Sequence, residues 1–162
     1  MTADKNKDKV LYALLLTAFI IYVSLLGYLL FFAESFGRGH IPDGYDKVNL
    51  IPFREIQRFI IKWRTVGTIS ALLNTLGNVI GFIPYGIFIP ILFRRTDGFL
   101  KILLIGFLSS LTIETIQLIF DVGVFDVDDL MLNTLGTISG YGLYRVAKKI
   151  IIYERKRNEK SA

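Results

Sequence analysis

Long apolar runs, separated by shorter polar segments, dominate the pattern of this chain. The run over residues 10–33 contains no charged residue. Each run is close to the ~20 residues that an α-helix needs to cross a bilayer. The pattern predicts an all-α membrane protein in which residues 1–162 form one domain with four transmembrane helices, over about residues 10–33, 69–93, 99–120 and 130–152.

The segment between the first two apolar runs has a different, amphipathic pattern. Pro52 suits the first turn of a helix. Residues 52–64 carry apolar and basic side chains at helical spacing. The apolar residues include Phe53, Ile56, Phe59, Ile60 and Trp63, and the basic residues include Arg54, Arg58 and Lys62. This pattern predicts an external helix that lies in the membrane interface. The basic side chains either anchor that helix on anionic lipid or, in the case of Arg54 and Arg58, bind a phosphate of a lipid ligand.

A five-residue sequence occurs twice. Leu-Asn-Thr-Leu-Gly occupies residues 73–77 and again 132–136, and Gly81 and Gly140 follow the two copies at the same offset. The second and fourth predicted helices cross the bilayer in the same direction, so the copies are expected at similar depth. Two helical hairpins related by an axis along the membrane normal, that is, parallel repeats, have this arrangement. The paired glycines predict a close crossing of the two helices. Chance identity of short apolar segments is the alternative explanation.

Polar residues in the third predicted helix indicate a site inside the membrane. One face of that helix carries Ser110, Glu114, Gln117 and Asp121 at spacings of four, three and four. Glu114 lies roughly 9 Å from the outer end at 1.5 Å per residue. A carboxyl group at such depth costs about 2.5–3.5 kcal/mol, so it is expected to face polar partners. Candidate partners at comparable depth are Asn74, Asn78, Asn133 and Thr137.

These polar residues have two possible roles. Glu114 is a candidate catalytic residue, because a buried carboxyl group with a raised pKa can act as a general acid or base. Gln117 and the three asparagines are candidate ligand-binding residues. The alternative role for all of them is hydrogen bonding between neighbouring helices.

Three aspartates, Asp126, Asp128 and Asp129, stand at the beginning of the fourth predicted helix. Carboxylates there accept hydrogen bonds from free backbone N–H groups and oppose the helix dipole. Carboxylate oxygens also bind divalent cations, although the spacing does not match a complete calcium-binding loop. The cluster therefore either caps the helix or holds a divalent cation near Glu114, which makes Asp126 and Asp129 candidate catalytic residues as well. No other cofactor is indicated.

Composition and charge restrict the function and predict an orientation. The chain has no cysteine, which excludes disulfides, thiol nucleophiles and thiolate metal sites. Its net charge is +5, and the basic residues concentrate before residue 10, around residues 94–101 and after residue 144. The positive-inside rule then places both termini in the cytoplasm. The basic C-terminal tail is expected to bind inner-leaflet lipids rather than nucleic acid. The pattern makes no prediction of the oligomeric state.

At these residues the chain resembles the VanZ-like family of bacterial membrane proteins, which is named for a factor in resistance to teicoplanin, a glycopeptide antibiotic. The resemblance covers roughly residues 49–140 and rests on Asn49-Leu50-Ile51-Pro52-Phe53, on Asn74 and Asn78 with Phe82-Ile83-Pro84-Tyr85-Gly86, on Glu114-Thr115-Ile116-Gln117, on Asp126-Val127-Asp128-Asp129 and on Asn133-Thr134-Leu135-Gly136. It implies a multi-pass protein of the bacterial cytoplasmic membrane with a role in the cell envelope and in lowered glycopeptide sensitivity. It supplies no mechanism.

Three hypotheses follow from the residues and the resemblance together. The first is a protein that binds an amphiphile, such as a lipid-linked cell-wall intermediate or a glycopeptide with a lipid tail. The second is an enzyme on the same class of substrate, with Glu114 as the acid or base and a divalent cation on the aspartates. The third is a transporter of a small solute. It is the least favoured of the three, because only one buried ionisable group is evident in the helices.

Overall fold

The computed structural model of the protein describes residues 2–33, 47–54, 57 and 68–161. The described chain is mostly helical. Helix α1 covers Thr2–Tyr28 and continues as a π-helical turn over Leu29–Ala33. Strand β1, Val48–Asn49, precedes helix α2, Thr68–Leu92, and a 3₁₀ turn, Arg94–Thr96, leads into helix α3, Phe99–Ile119. Strand β2, Phe125–Asp126, runs directly into helix α4, Val127–Ser161.

Three helices in the described part of the chain are long and apolar enough to cross a membrane. The spans are Asn6–Phe32, Thr75–Leu92 and Phe99–Ile119, and they agree with the first three predicted helices. Helix α4 is not among them. Its first half buries polar side chains, including Asn133, Thr134 and Thr137, so its hydropathy is lower. A mostly helical protein with three membrane-compatible helices is confirmed, and a fourth crossing stays a prediction.

Helices α2 and α4 pack against each other through backbone contacts. A Cβ atom on Gly136 would collide with the carbonyl oxygen of Val79, and one on Gly140 would collide with that of Ile83. Gly86 of α2 is equally close to the Thr137 carbonyl. Contacts that advance together along both helices show that α2 and α4 run in the same direction, as predicted.

The predicted equivalence of the two glycine pairs is wrong. No atom of the described residues lies within 4 Å of the Gly77 Cβ position, and Gly81 faces Leu26 of α1 rather than α4. Gly86 takes the place in the α2–α4 interface that was expected for the first pair. The two copies of the repeated sequence therefore present different faces to the rest of the bundle.

Of the other two helices, α1 packs against α2 and α3 packs against α4. The Tyr22 hydroxyl of α1 donates to the Gly81 carbonyl of α2 at 2.6 Å. The Phe19 ring of α1 also contacts α2. On the other side, Gly106 of α3 lies against the Thr137 side chain of α4. A small apolar core of Ile89, Ile102 and Tyr141 joins α2, α3 and α4.

Asp97, in the turn between α2 and α3, binds that turn to α4. Its carboxylate accepts hydrogen bonds from the Tyr141 hydroxyl at 3.0 Å, the Tyr144 hydroxyl at 3.3 Å and the Lys148 ammonium. The hydrogen bond from Lys148 lowers the pKa of the Asp97 carboxyl, and partial burial opposes this change. The α2–α3 connection is thereby held beside α4.

The segment before α2 differs in part from the prediction. Phe53 has a φ of 64°, so the chain turns at the position where the interfacial helix was expected to begin. One helical hydrogen bond follows, from the Gln57 N–H to the Phe53 carbonyl at 2.8 Å. The rest of the predicted helix, including Arg58, lies outside the described residues. The all-α prediction also missed the parallel pairing of β1 with β2, in which Asn49 lies opposite Asp126.

Candidate functional site

Glu114 is buried where α3 meets the beginning of α4. Its side chain is 2% exposed, and its Oε2 accepts a hydrogen bond from the Asp126 backbone N–H at 3.0 Å. Ser110 and Gln117 are buried on the same face of α3, which confirms the face predicted from their spacing. Asp121 does not belong to this buried set: it is exposed and forms an ion pair with Lys47 at 2.8 Å.

Asp126 is the centre of a carboxylate network that binds residues 47–54 to the bundle. Its two carboxylate oxygens accept hydrogen bonds from the Asn49 amide, each at 3.1 Å. Its Oδ1 also accepts from the Asp128 N–H at 2.8 Å, which is a cap at the beginning of α4. The cap that the sequence predicted is thus present. The same carboxylate also binds Asn49, which is 77 residues away in the chain.

Asp128 extends this network to the turn at Phe53. Its Oδ1 accepts a hydrogen bond from the Phe53 N–H. A bulky residue with positive φ is strained unless its surroundings hold it. The carboxylate of Asp128 therefore holds the chain in the conformation that leads from β1 toward the residues beyond Arg54.

The predicted cation site is not supported by this geometry. Among the described residues, which include Asp126, Asp128 and Asp129, no group of three or more carboxylate or histidine side chains is placed to hold a metal ion. Both carboxylate oxygens of Asp126 and the Oδ1 of Asp128 accept hydrogen bonds from N–H groups of the protein. These aspartates organise the backbone around Glu114.

A layer of amide side chains lies one turn deeper in the bundle. The Asn133 Nδ2 donates to the Ser110 hydroxyl at 2.9 Å, and Asn133 is only 1% exposed. Its Oδ1, and the Nδ2 of Asn78 on α2, are buried without a hydrogen-bond partner in the described structure. The Asn74 backbone lies in α2, and its side chain is outside the description.

This pair of unsatisfied atoms has a definite chemical preference. The Asn78 Nδ2 needs an acceptor and the Asn133 Oδ1 needs a donor, and a hydroxyl or an amide group can supply either. A buried polar group without a partner costs about 1–3 kcal/mol. The layer is therefore the place in the described structure where a polar group is most clearly needed.

Two predicted ligand-binding residues have other contacts. Gln117 donates from Nε2 to the Leu30 carbonyl at 2.9 Å, so it joins α3 to the π-helical turn at the end of α1. Arg54 is exposed, with its guanidinium 3.5 Å from Asn49 Oδ1. It lies beside the carboxylate network, and Asn49 is its side-chain partner among the described residues. The structure does not describe Arg58.

Sequence reasoning missed one residue of this site. Asn49 bridges β1 and the Asp126 carboxylate and is 6% exposed, yet only its place in a family motif drew notice to it. An asparagine followed by two apolar residues and a proline has no periodicity that predicts burial. Its partner is distant in sequence, so a local pattern could not find the pair.

Comparisons with known proteins agree with this picture. The family model described as VanZ/LLP1 matches residues 19–148. Protein VanZ of Enterococcus faecium is 40% identical over 72 residues, which are 44% of this chain and 44% of that relative. The match thus spans less than half the length of the relative. No solved structure matches the chain.

Proposed function

Because this chain belongs to the VanZ/LLP1 family, we propose that it is a membrane protein of the bacterial cell envelope that lowers sensitivity to teicoplanin-type glycopeptides. In this proposal it acts by binding an amphiphile that has a polar head group and an apolar tail. A lipid-linked cell-wall intermediate and a glycopeptide with a lipid tail both have this character. The three helices of membrane-spanning hydropathy support the setting.

The observation that carries the binding proposal is the pair of unsatisfied amide atoms on Asn78 and Asn133. A structural protein has little reason to leave a donor and an acceptor unused in one buried layer, because each costs free energy. In this proposal polar groups of the ligand, such as hydroxyl or amide groups, accept from Asn78 and donate to Asn133. Arg54, beside the carboxylate network, is placed to meet a phosphate or carboxylate of the same ligand.

The proposal includes a fourth crossing by α4 with both termini in the cytoplasm. Helix α4 has 35 residues, which is about 52 Å at 1.5 Å per residue and exceeds the thickness of a bilayer. In this topology the carboxylate network, residues 47–54 and the aspartate-rich turn face the outside. The ligand then approaches from the outer leaflet, where cell-wall intermediates and glycopeptides meet.

Asn78→Leu is the sharpest test, because Nδ2 of Asn78 makes no hydrogen bond that the substitution would break. A glycopeptide-sensitive host expressing the wild-type protein should need a higher teicoplanin concentration for growth inhibition. Asn78→Leu should return the host to the sensitivity of an empty-vector strain. Membrane levels and thermal stability of the variant should match those of the wild type.

Two comparisons complete this experiment. Thr112→Val on exposed α3 surface is a matched control that should protect fully, and Glu114→Gln should also protect, since a glutamine oxygen can still accept from the Asp126 N–H. Loss of protection in Glu114→Gln would favour an enzyme that needs the titratable proton. If Asn78→Leu protects as well as wild type, the amide layer is not the binding site. If wild type gives no protection, glycopeptide resistance is not the function.

A further inference from the structure

A groove lies between the beginning of α1 and the end of α2, where Ile91 is about 20 Å along α2 from Asn78 at 1.5 Å per residue. Its volume is about 820 Å³. Leu11 and Leu15 of α1 and Ile91 of α2 form apolar walls, and Arg94 and Arg95 stand at one end with Asp8 at the rim. The groove is separate from the polar layer and from the carboxylate network.

The ends of the membrane spans place this groove at the level of lipid head groups. The second span ends at Leu92, the third begins at Phe99 and the first begins at Asn6. The arginines therefore follow directly after the hydrocarbon-spanning part of α2. The apolar walls lie on the membrane side of them, where acyl chains are found.

The side chains of the two arginines form no ion pair with the described residues. Both are exposed. The Lys101 ammonium adds a third positive charge nearby, because it donates to the Arg95 carbonyl at 2.7 Å. Asp8 is the single acidic residue of the lining. The balance of charge favours an anion at this end.

We propose that this groove binds an anionic phospholipid, with its phosphate on Arg94 and Arg95 and one acyl chain along Leu11, Leu15 and Ile91. Guanidinium groups bind phosphate oxygens through paired N–H donors. An acyl chain gains free energy from the apolar walls, so the two halves of the groove match the two halves of a lipid. This site goes beyond the proposed function and does not depend on it.

The test measures lipid preference of the purified full chain in bilayer discs. Native mass spectrometry would compare retained phosphatidylglycerol with retained phosphatidylcholine. We expect wild type to prefer phosphatidylglycerol. The double variant Arg94→Gln/Arg95→Gln should reduce that preference about thirtyfold, since each basic residue near a membrane surface contributes on the order of 1 kcal/mol and about 1.4 kcal/mol is a factor of ten. The matched control Arg155→Gln/Lys156→Gln removes two charges from exposed positions of α4 and should keep the preference. Equal losses in both double variants would overturn the site.

Two single variants separate a lipid in the groove from general surface charge. Leu11→Trp fills the apolar half without changing charge and should reduce phosphatidylglycerol retention; unchanged retention would mean that no acyl chain lies there. Asp8→Asn should increase retention, because it removes a repelling carboxylate. If Asp8→Asn decreases retention, or if phosphatidylethanolamine is preferred, the head group carries a cation and the anionic assignment is wrong.

Discussion

Ser110 and Asn133 show how the deepest polar residues of the bundle depend on one another. Ser110 is fully buried, and its hydroxyl accepts from the Asn133 amide at 2.9 Å. The spacing of polar residues in α3 predicted that Ser110 and Glu114 would face the bundle. Asparagines were expected as partners of Glu114, and the structure adds the Asp126 backbone N–H, which donates to one of its oxygens.

Ser110→Ala should destabilise the folded protein by about 1–3 kcal/mol, because the buried Asn133 Nδ2 would lose its acceptor. The matched control is Thr112→Ala in the same helix, whose hydroxyl is exposed and donates to the Leu108 carbonyl of its own helix. Equilibrium unfolding of the purified protein in mixed micelles would give both free energies. A cost for Ser110→Ala no larger than that for Thr112→Ala would contradict the importance of this hydrogen bond.

At the same scale, long-range partners set the limit of prediction from sequence. Gln117 binds the Leu30 carbonyl across 87 positions, and Asn49 binds Asp126 across 77. Helical spacing showed that Gln117 belongs to a buried face, because that property is local. It could not show that its amide is used by a π-helical turn of α1. A role in ligand binding was therefore assigned to a side chain that joins two helices.

Among the helices, the α2–α4 contact explains why a repeated sequence does not produce a repeated interface. On α4, Gly136 and Gly140 are one turn apart and meet α2 at Val79 and Ile83. The facing surface of α2 includes Gly86, five residues after Gly81, so it lies on another side of that helix from the first glycine pair. The sequence correctly predicted that the two helices are close and parallel. It could not show which side of α2 faces α4, because glycines lie on more than one side of that helix.

Gly140→Ala should destabilise the bundle by about 1–3 kcal/mol, as expected for overpacking, because a methyl group would collide with the Ile83 carbonyl and force the helices apart. Gly142→Ala is its control, two residues further along α4, where no atom lies within 4 Å. There alanine should stabilise the helix by roughly 0.5–1 kcal/mol through its higher propensity. Thermal unfolding in detergent would measure both. Shifts of the same sign and size would show that the α2–α4 backbones are not in contact.

For the whole molecule, hydropathy identifies the uniformly apolar helices better than the helix that packs one polar side against two others. Helices α1 and α3 expose long apolar surfaces, including Ile20, Ile21 and Leu104. Helix α4 contacts α2 and α3, so glycine, threonine and asparagine replace large apolar residues on its buried side. The sequence also could not predict the pairing of the two strands, because strands of two residues are too short to show an alternation of apolar and polar side chains.

The proposed topology places both termini on one side of the membrane and the aspartate-rich turn on the other. An odd number of crossings would separate the termini, so their relative position tests whether α4 spans. The chain contains no cysteine, and the wild type is therefore an unreactive blank for labelling with a membrane-impermeant maleimide. In intact cells Val122→Cys should react, whereas Lys7→Cys and Lys156→Cys should react only after the membrane is permeabilised. Reaction of Lys156→Cys in intact cells, with Lys7→Cys protected, would show that α4 does not cross the bilayer as proposed, and would remove the argument that the amide layer faces the outer leaflet.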